Sequence, residues 1–221
     1  MTTIKAFINR HAVLTYYVVV FAISWVGMLV LAGPGGVPGT KEQVEALFPF
    51  MLLVLFAGPS IAGPLLTLLV DGQAGLRDLR ARLLRWQVSV RWYVIALLFA
   101  PLLVAAVLLV LSLFSPAYLP GILNTSNKLS LLLFGIAWGL IGGGFLEELG
   151  WTGFAVPKLR RQYSAVTTAL IVGILWGVWH ILIAFWSSGS LAGEESVAIF
   201  VIGFLAFYLG ALPAYRILMV W

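Results

Sequence analysis

Apolar runs of membrane-spanning length alternate along this chain with short segments that hold nearly all of its charge. Such runs recur at Val13–Ala32, Phe48–Val70, Tyr93–Phe114, from Leu129 onward, at Ala165–Trp186 and at Val197–Ala214. A helix of about 20 apolar residues is long enough to cross a bilayer. The pattern therefore predicts an all-α polytopic membrane protein with about six transmembrane helices. Breaks between runs carry ordinary turn chemistry, Gly33-Pro34-Gly35-Gly36 after the first and Ser115-Pro116 after the third. The first run lacks a small-residue cleavage pattern, so it reads as a retained helix and not as a signal peptide.

Finer features modify the runs. Gly58-Pro59 and Gly63-Pro64 interrupt the second and predict packing kinks there. From Asp71 to Trp92, Arg77, Arg80, Arg82, Arg85 and Arg91 are interleaved with Leu76, Leu79 and Leu83 at helical spacing, the pattern of an interfacial amphipathic helix. The fourth run carries Gly135, Gly139 and Gly143 at four-residue intervals, a small-residue stripe that predicts close approach of another helix. A loop with Glu194 and Glu195 precedes the sixth run.

Charge orients the chain. With the N-terminus inside, the inner segments hold Lys5, Arg10, Arg77, Arg80, Arg82, Arg85, Arg91, Lys158, Arg160, Arg161 and Arg216, while the outer ones hold only Lys41 and Lys128. Basic residues concentrate on the cytoplasmic side of membrane proteins, so the N-terminus is expected to be cytoplasmic. The net charge of +5 is explained by this distribution, and no nucleic-acid partner is expected. With 62% hydrophobic and 10% charged residues over 221 positions, the chain reads as a single membrane domain, residues 1–221, whose obligatory partner is the lipid bilayer. It contains no cysteine, which removes disulfides, thiolate nucleophiles and thiolate metal sites.

Against that background two places are costly. Glu147 and Glu148 stand together in Gly142-Gly143-Gly144-Phe145-Leu146-Glu147-Glu148-Leu149-Gly150-Trp151-Thr152-Gly153-Phe154, and His180 ends Trp176-Gly177-Val178-Trp179-His180. An acid within a bilayer costs roughly 2.5–3.5 kcal/mol on insertion scales, which makes an intramembrane pair a functional candidate. Adjacent residues on a helix point about 100° apart, so the two acids invite different roles, one a base and the other held by a partner. The plainer reading is a hydrated pair at the interface, and for His180 a hydrogen-bonded core residue. Helix rise puts Glu148 roughly 13 Å and His180 about 22 Å from the inner ends of their helices, so the two are not level by count alone.

Glu147-Glu148-x-x-x-Thr152-Gly153-Phe154 followed by Trp176-x-x-x-His180 resembles the CPBP family, intramembrane glutamate proteases that include CAAX prenyl endopeptidases, lysostaphin-resistance-type and bacteriocin-immunity-type proteins. The motif region spans about residues 129–214. The resemblance implies a membrane endopeptidase, classed as a metalloprotease, acting on a peptide or protein substrate that can be prenylated, in a bacterial cell membrane. It implies that Glu147 activates the attacking water, that Glu148 supports the site electrostatically, and that His180 orients water or binds a divalent metal such as zinc, with Glu147 as a further candidate ligand. Two departures stand out. Thr152 occupies the position of the motif's arginine, so the ion pair expected with Glu148 is absent. The family's second catalytic His lies on a later helix, and no histidine follows His180. The 221-residue chain is accordingly expected to be partial and, by itself, inactive or severely impaired as a protease. The competing expectations are a catalytically inactive relative serving as an immunity or maturation partner and, ranked last, a small transporter.

Overall fold

The computed structural model describes residues 3–188 and 197–220, which leaves the loop with Glu194 and Glu195 outside the described residues. Among the described residues all regular structure is helical. Six helices are long and apolar enough to cross a membrane: Ala12–Ala32, Lys41–Leu83, Val90–Ser112, Lys128–Leu159, Ala165–Ser188 and Phe200–Val220, called here the first to sixth spans. A short amphipathic helix, Thr3–Arg10, precedes them. The chain forms two compact units, one made of Met1–Arg77 with Gly144–Trp221, the other of Asp78–Gly143.

In the first unit the second span runs helically through Pro49, Pro59 and Pro64, and its non-helical backbone falls at Gly72, with φ 67° and ψ −159°. The backbone keeps helical dihedrals at the two Gly-Pro pairs, and the one break falls at Gly72, where only glycine adopts the conformation cheaply. The pairs serve packing. A Cβ on Gly58 would come within 2.8 Å of the Val20 carbonyl oxygen, and one on Gly63 within 2.5 Å of the Leu149 carbonyl oxygen. The basic segment is helical only as far as Leu83. Beyond it Gln87, Val88, Ser89 and Val90 alternate polar and apolar with a period of two, which does not suit a helix, and the third span starts at Val90.

Aromatic side chains fill the interior of this unit. Trp151 of the fourth span meets Tyr16 edge-on at 5.7 Å, stacks on Tyr17 at 5.7 Å and meets Trp179 edge-on at 5.5 Å. Polar pairs cross between the spans: Ser24 donates to the Leu55 carbonyl at 2.7 Å, the Trp179 indole donates to Ser24 at 2.9 Å, and the Trp25 indole donates to the Trp179 carbonyl at 3.0 Å. In lipid, apolar surface gives helices no reason to associate, so these contacts and close packing hold them together. The fifth and sixth spans meet through small residues, since a Cβ on Gly173 would lie 2.5 Å from Pro213 Cα and one on Gly177 would strike the Tyr208 carbonyl.

The second unit contains the third span, the short turns Pro116–Tyr118 and Gly121–Asn124, and the fourth span as far as Gly143. Its helices bury little, and none of the third span's most apolar window is buried. Within this unit the close helix contact expected at Gly135, Gly139 and Gly143 is not found among the described residues, where a Cβ on any of the three meets nothing within 4 Å. The small residues that admit a neighbouring backbone are Gly58, Gly63, Gly150, Gly173 and Gly177, all in the first unit.

Candidate active site

The two glutamates lie at an irregularity of the fourth span. Its backbone is π-helical from Gly139 to Glu147, turns through residues 148–150, and is π-helical again over Trp151–Ala155. The Gly153 N–H, for example, reaches back five residues to the Glu148 carbonyl at 2.8 Å. Such widened turns concentrate at functional sites, since they re-aim side chains without ending the helix. Neighbours stabilise this one: Ser60 of the second span donates to the Leu146 carbonyl at 2.8 Å, and Gly63 lets the second span approach the backbone at Leu149 and Gly150.

The adjacent acids have separate surroundings. Glu147 is buried, 4% exposed, and its Oε2 accepts from two indoles, Trp176 Nε1–H and Trp151 Nε1–H, the latter at 3.4 Å. Glu148 accepts two hydrogen bonds from the Arg216 guanidinium, both at 2.9 Å, and one from the Thr152 hydroxyl. Arg216 is completely buried, lies with its guanidinium carbon 4.5 Å from the centre of the Trp176 ring, and belongs to the sixth span. The ion pair expected to be missing is therefore present, with its cation supplied from another helix. A planar guanidinium matches a carboxylate with two parallel bonds, a geometry that fixes position as well as charge. Arg216 is correspondingly not a charge of an inner loop.

His180 follows the last turn of the fifth span's first helical segment, Ala165–Trp179, and its Nδ1 lies 2.8 Å from the Trp176 carbonyl oxygen. A carbonyl only accepts, so Nδ1 carries the proton and Nε2 is the acceptor. The ring packs against Trp179 at 4.8 Å and Tyr208 at 5.1 Å. Trp176 is thus the common member: its indole N–H holds Glu147, its ring covers Arg216 and its carbonyl orients His180. The offset between Glu148 and His180 that residue counting gives is bridged by this tryptophan, which stands one helical turn before the histidine. Sequence reasoning singled out Glu147, Glu148, His180 and Thr152 and missed Arg216. The signal for it was one arginine followed directly by Ile217-Leu218-Met219-Val220-Trp221, an apolar stretch in which a loop charge is out of place.

A metal does not fit these residues by themselves. No group of three or more His, Asp or Glu side chains converges among the described residues. Glu148 is engaged by Arg216, and one Glu147 oxygen by two indoles. That leaves a Glu147 oxygen and His180 Nε2, fewer than the three protein ligands of a catalytic zinc site.

Taken together, six apolar spans define a multi-pass membrane protein, and its first unit holds a carboxylate site made of the buried Glu147, the partly buried Glu148, the buried Arg216 and His180. Residues 128–216 match the family model described as Type II CAAX prenyl endopeptidase Rce1-like. Over 39 residues, 18% of this chain, the sequence is 41% identical to CAAX prenyl protease 2 of Methanococcus maripaludis, and the match covers 14% of that relative's length. No solved structure matches the chain. The family match takes in the part of the chain that carries the two glutamates, His180 and Arg216, and the chain matches about one seventh of the curated relative's length.

Proposed function

We propose that this site hydrolyses peptide bonds within the membrane, with Glu147 as the base that activates water. The observation that carries this reading is the unequal treatment of the two acids: Glu148 is neutralised by Arg216, while Glu147 is held through one oxygen only. Its Oε1 is left to accept the proton of a water molecule. The resulting hydroxide attacks the scissile carbonyl, the C–N bond breaks as the tetrahedral intermediate collapses, and the proton held by Glu147 passes to the departing amine. One water is consumed, and a carboxylic acid and an amine are released.

His180 contributes position. With its proton on Nδ1, Nε2 accepts a hydrogen bond from the attacking water and holds it, but offers no donor to the developing oxyanion. Oxyanion stabilisation therefore falls to other donors. The substrate is a peptide or protein, and the matched relative's name points to a prenylated CAAX C-terminus as the first class to assay. The test is cleavage of a farnesylated CAAX peptide in proteoliposomes by the full product of the gene. General base catalysis contributes about 10²–10⁴ in rate, and Glu147→Gln is expected to lose that much. Cleavage that survives Glu147→Gln unchanged, or no cleavage of any prenylated or plain peptide by the full gene product, would overturn the proposal.

A further inference from the structure

Away from the acids, the first unit holds a cleft of about 610 Å³ where the first and fifth spans begin, the fourth ends and the second nears its break at Gly72. Its polar wall is made by Arg10, His11, Lys158, Arg161, Gln162 and Tyr163, and its one acid is Asp71. Lys158 is spent on that acid, with which it forms an ion pair. Arg10 and Arg161 have no acidic partner among the described residues, so the cleft keeps a surplus of two fixed positive charges. The lining also includes the apolar side chains of Val13, Leu14, Val70 and Ile171.

Positive-inside bias accounts for basic residues at this end of the helices, but not for a cleft built around them. The volume lies within the range of roughly 300–1,000 Å³ typical of small-molecule sites. We propose that the cleft binds an anionic membrane lipid, its phosphate between Arg10 and Arg161 and its glycerol backbone and first acyl carbons against Val13, Leu14 and Ile171. Guanidinium groups match phosphate oxygens with paired hydrogen bonds. Basic pockets between helices at the cytoplasmic surface meet a leaflet that supplies such headgroups. A soluble phosphate would satisfy the two arginines and leave the apolar side chains wet, which is why the occupant is taken to be a lipid. The cleft does not include Glu147, so the inference stands apart from the proposed chemistry.

The experiment compares lipid binding by purified protein in neutral detergent, read by native mass spectrometry as phosphatidylglycerol retained against phosphatidylcholine, and by the rise in melting temperature with each. Two paired variants remove the same charge: Arg10→Gln with Arg161→Gln inside the cleft, and Arg85→Gln with Arg91→Gln on the basic segment outside it. The cleft pair is expected to lose about 30-fold in affinity for phosphatidylglycerol, and the outer pair to retain the wild-type value. Arg161→Gln alone should fall between them, which guards against a folding defect in the double variant. Equal losses from both pairs, undiminished binding by the cleft pair, or the same melting rise from glycerol 3-phosphate alone would each overturn the proposal.

Discussion

The third span is almost wholly apolar and carries no buried residue in its most hydrophobic stretch, whereas the second, which contains three prolines and several glycines, has 44% of its most hydrophobic stretch buried. The contrast between the unit 78–143 and the rest of the chain teaches what apolarity does in a membrane. It makes a helix soluble in lipid and gives it no preference for a neighbour. Packing comes from residues that a hydropathy pattern counts as defects: Gly58 and Gly63, which admit backbones, Ser24 and Ser60, which bond to carbonyls across helices, and tryptophans whose rings pack while their N–H groups find acceptors. The acids belong to the same set. Their cost is met only where Arg216, Trp176, Trp151 and Thr152 converge on them.

The largest expected effect breaks the packed unit at its ion pair. Arg216→Met leaves Glu148 in the bundle without its cation, and removing one partner of a buried pair costs about 3–5 kcal/mol. Denaturation in mixed micelles should show that loss, and Glu148→Gln added to Arg216→Met should recover most of it; a single variant as stable as wild type would mean the pair holds nothing. A smaller effect compares matched glycines. Gly63→Ala forces a methyl against the Leu149 carbonyl and should cost about 1–3 kcal/mol, as overpacking does. Gly139→Ala, in the uncovered unit, has open space and should be neutral or stabilise by up to about 1 kcal/mol through helix propensity. Equal losses at both positions would erase the distinction between the units.

Much of the fold was legible because a span needs only length and apolarity, and all six runs become helices of spanning length. The acids and His180 were legible for the opposite reason, since each violates that pattern. Contacts between helices were not. The stripe of Gly135, Gly139 and Gly143 has the spacing of a contact face, yet spacing does not say whether a partner arrives: Gly173 and Gly177 share that four-residue spacing and do meet a backbone, as does Gly63, which has no such spacing to another glycine. Thr152 suggested a missing cation because reasoning along one helix sees only neighbours at three and four residues. Arg216, sixty-eight positions beyond Glu148, fills the role from the sixth span. The break at Gly72 was hidden because the proline pairs looked like stronger interruptions than a lone glycine.

The division of labour between the adjacent glutamates is the central claim, and turnover of a farnesylated CAAX peptide in proteoliposomes by paired variants of the full gene product tests it most directly. Glu147→Gln keeps the shape of the side chain and removes the base. Glu148→Gln combined with Arg216→Met removes the neutralised pair as a unit. The account predicts that Glu147→Gln lowers turnover about 10²–10⁴-fold, while the double variant loses less and keeps a Glu147-dependent rate. Turnover retained by Glu147→Gln and lost in the double variant would assign the base to Glu148 and contradict the account.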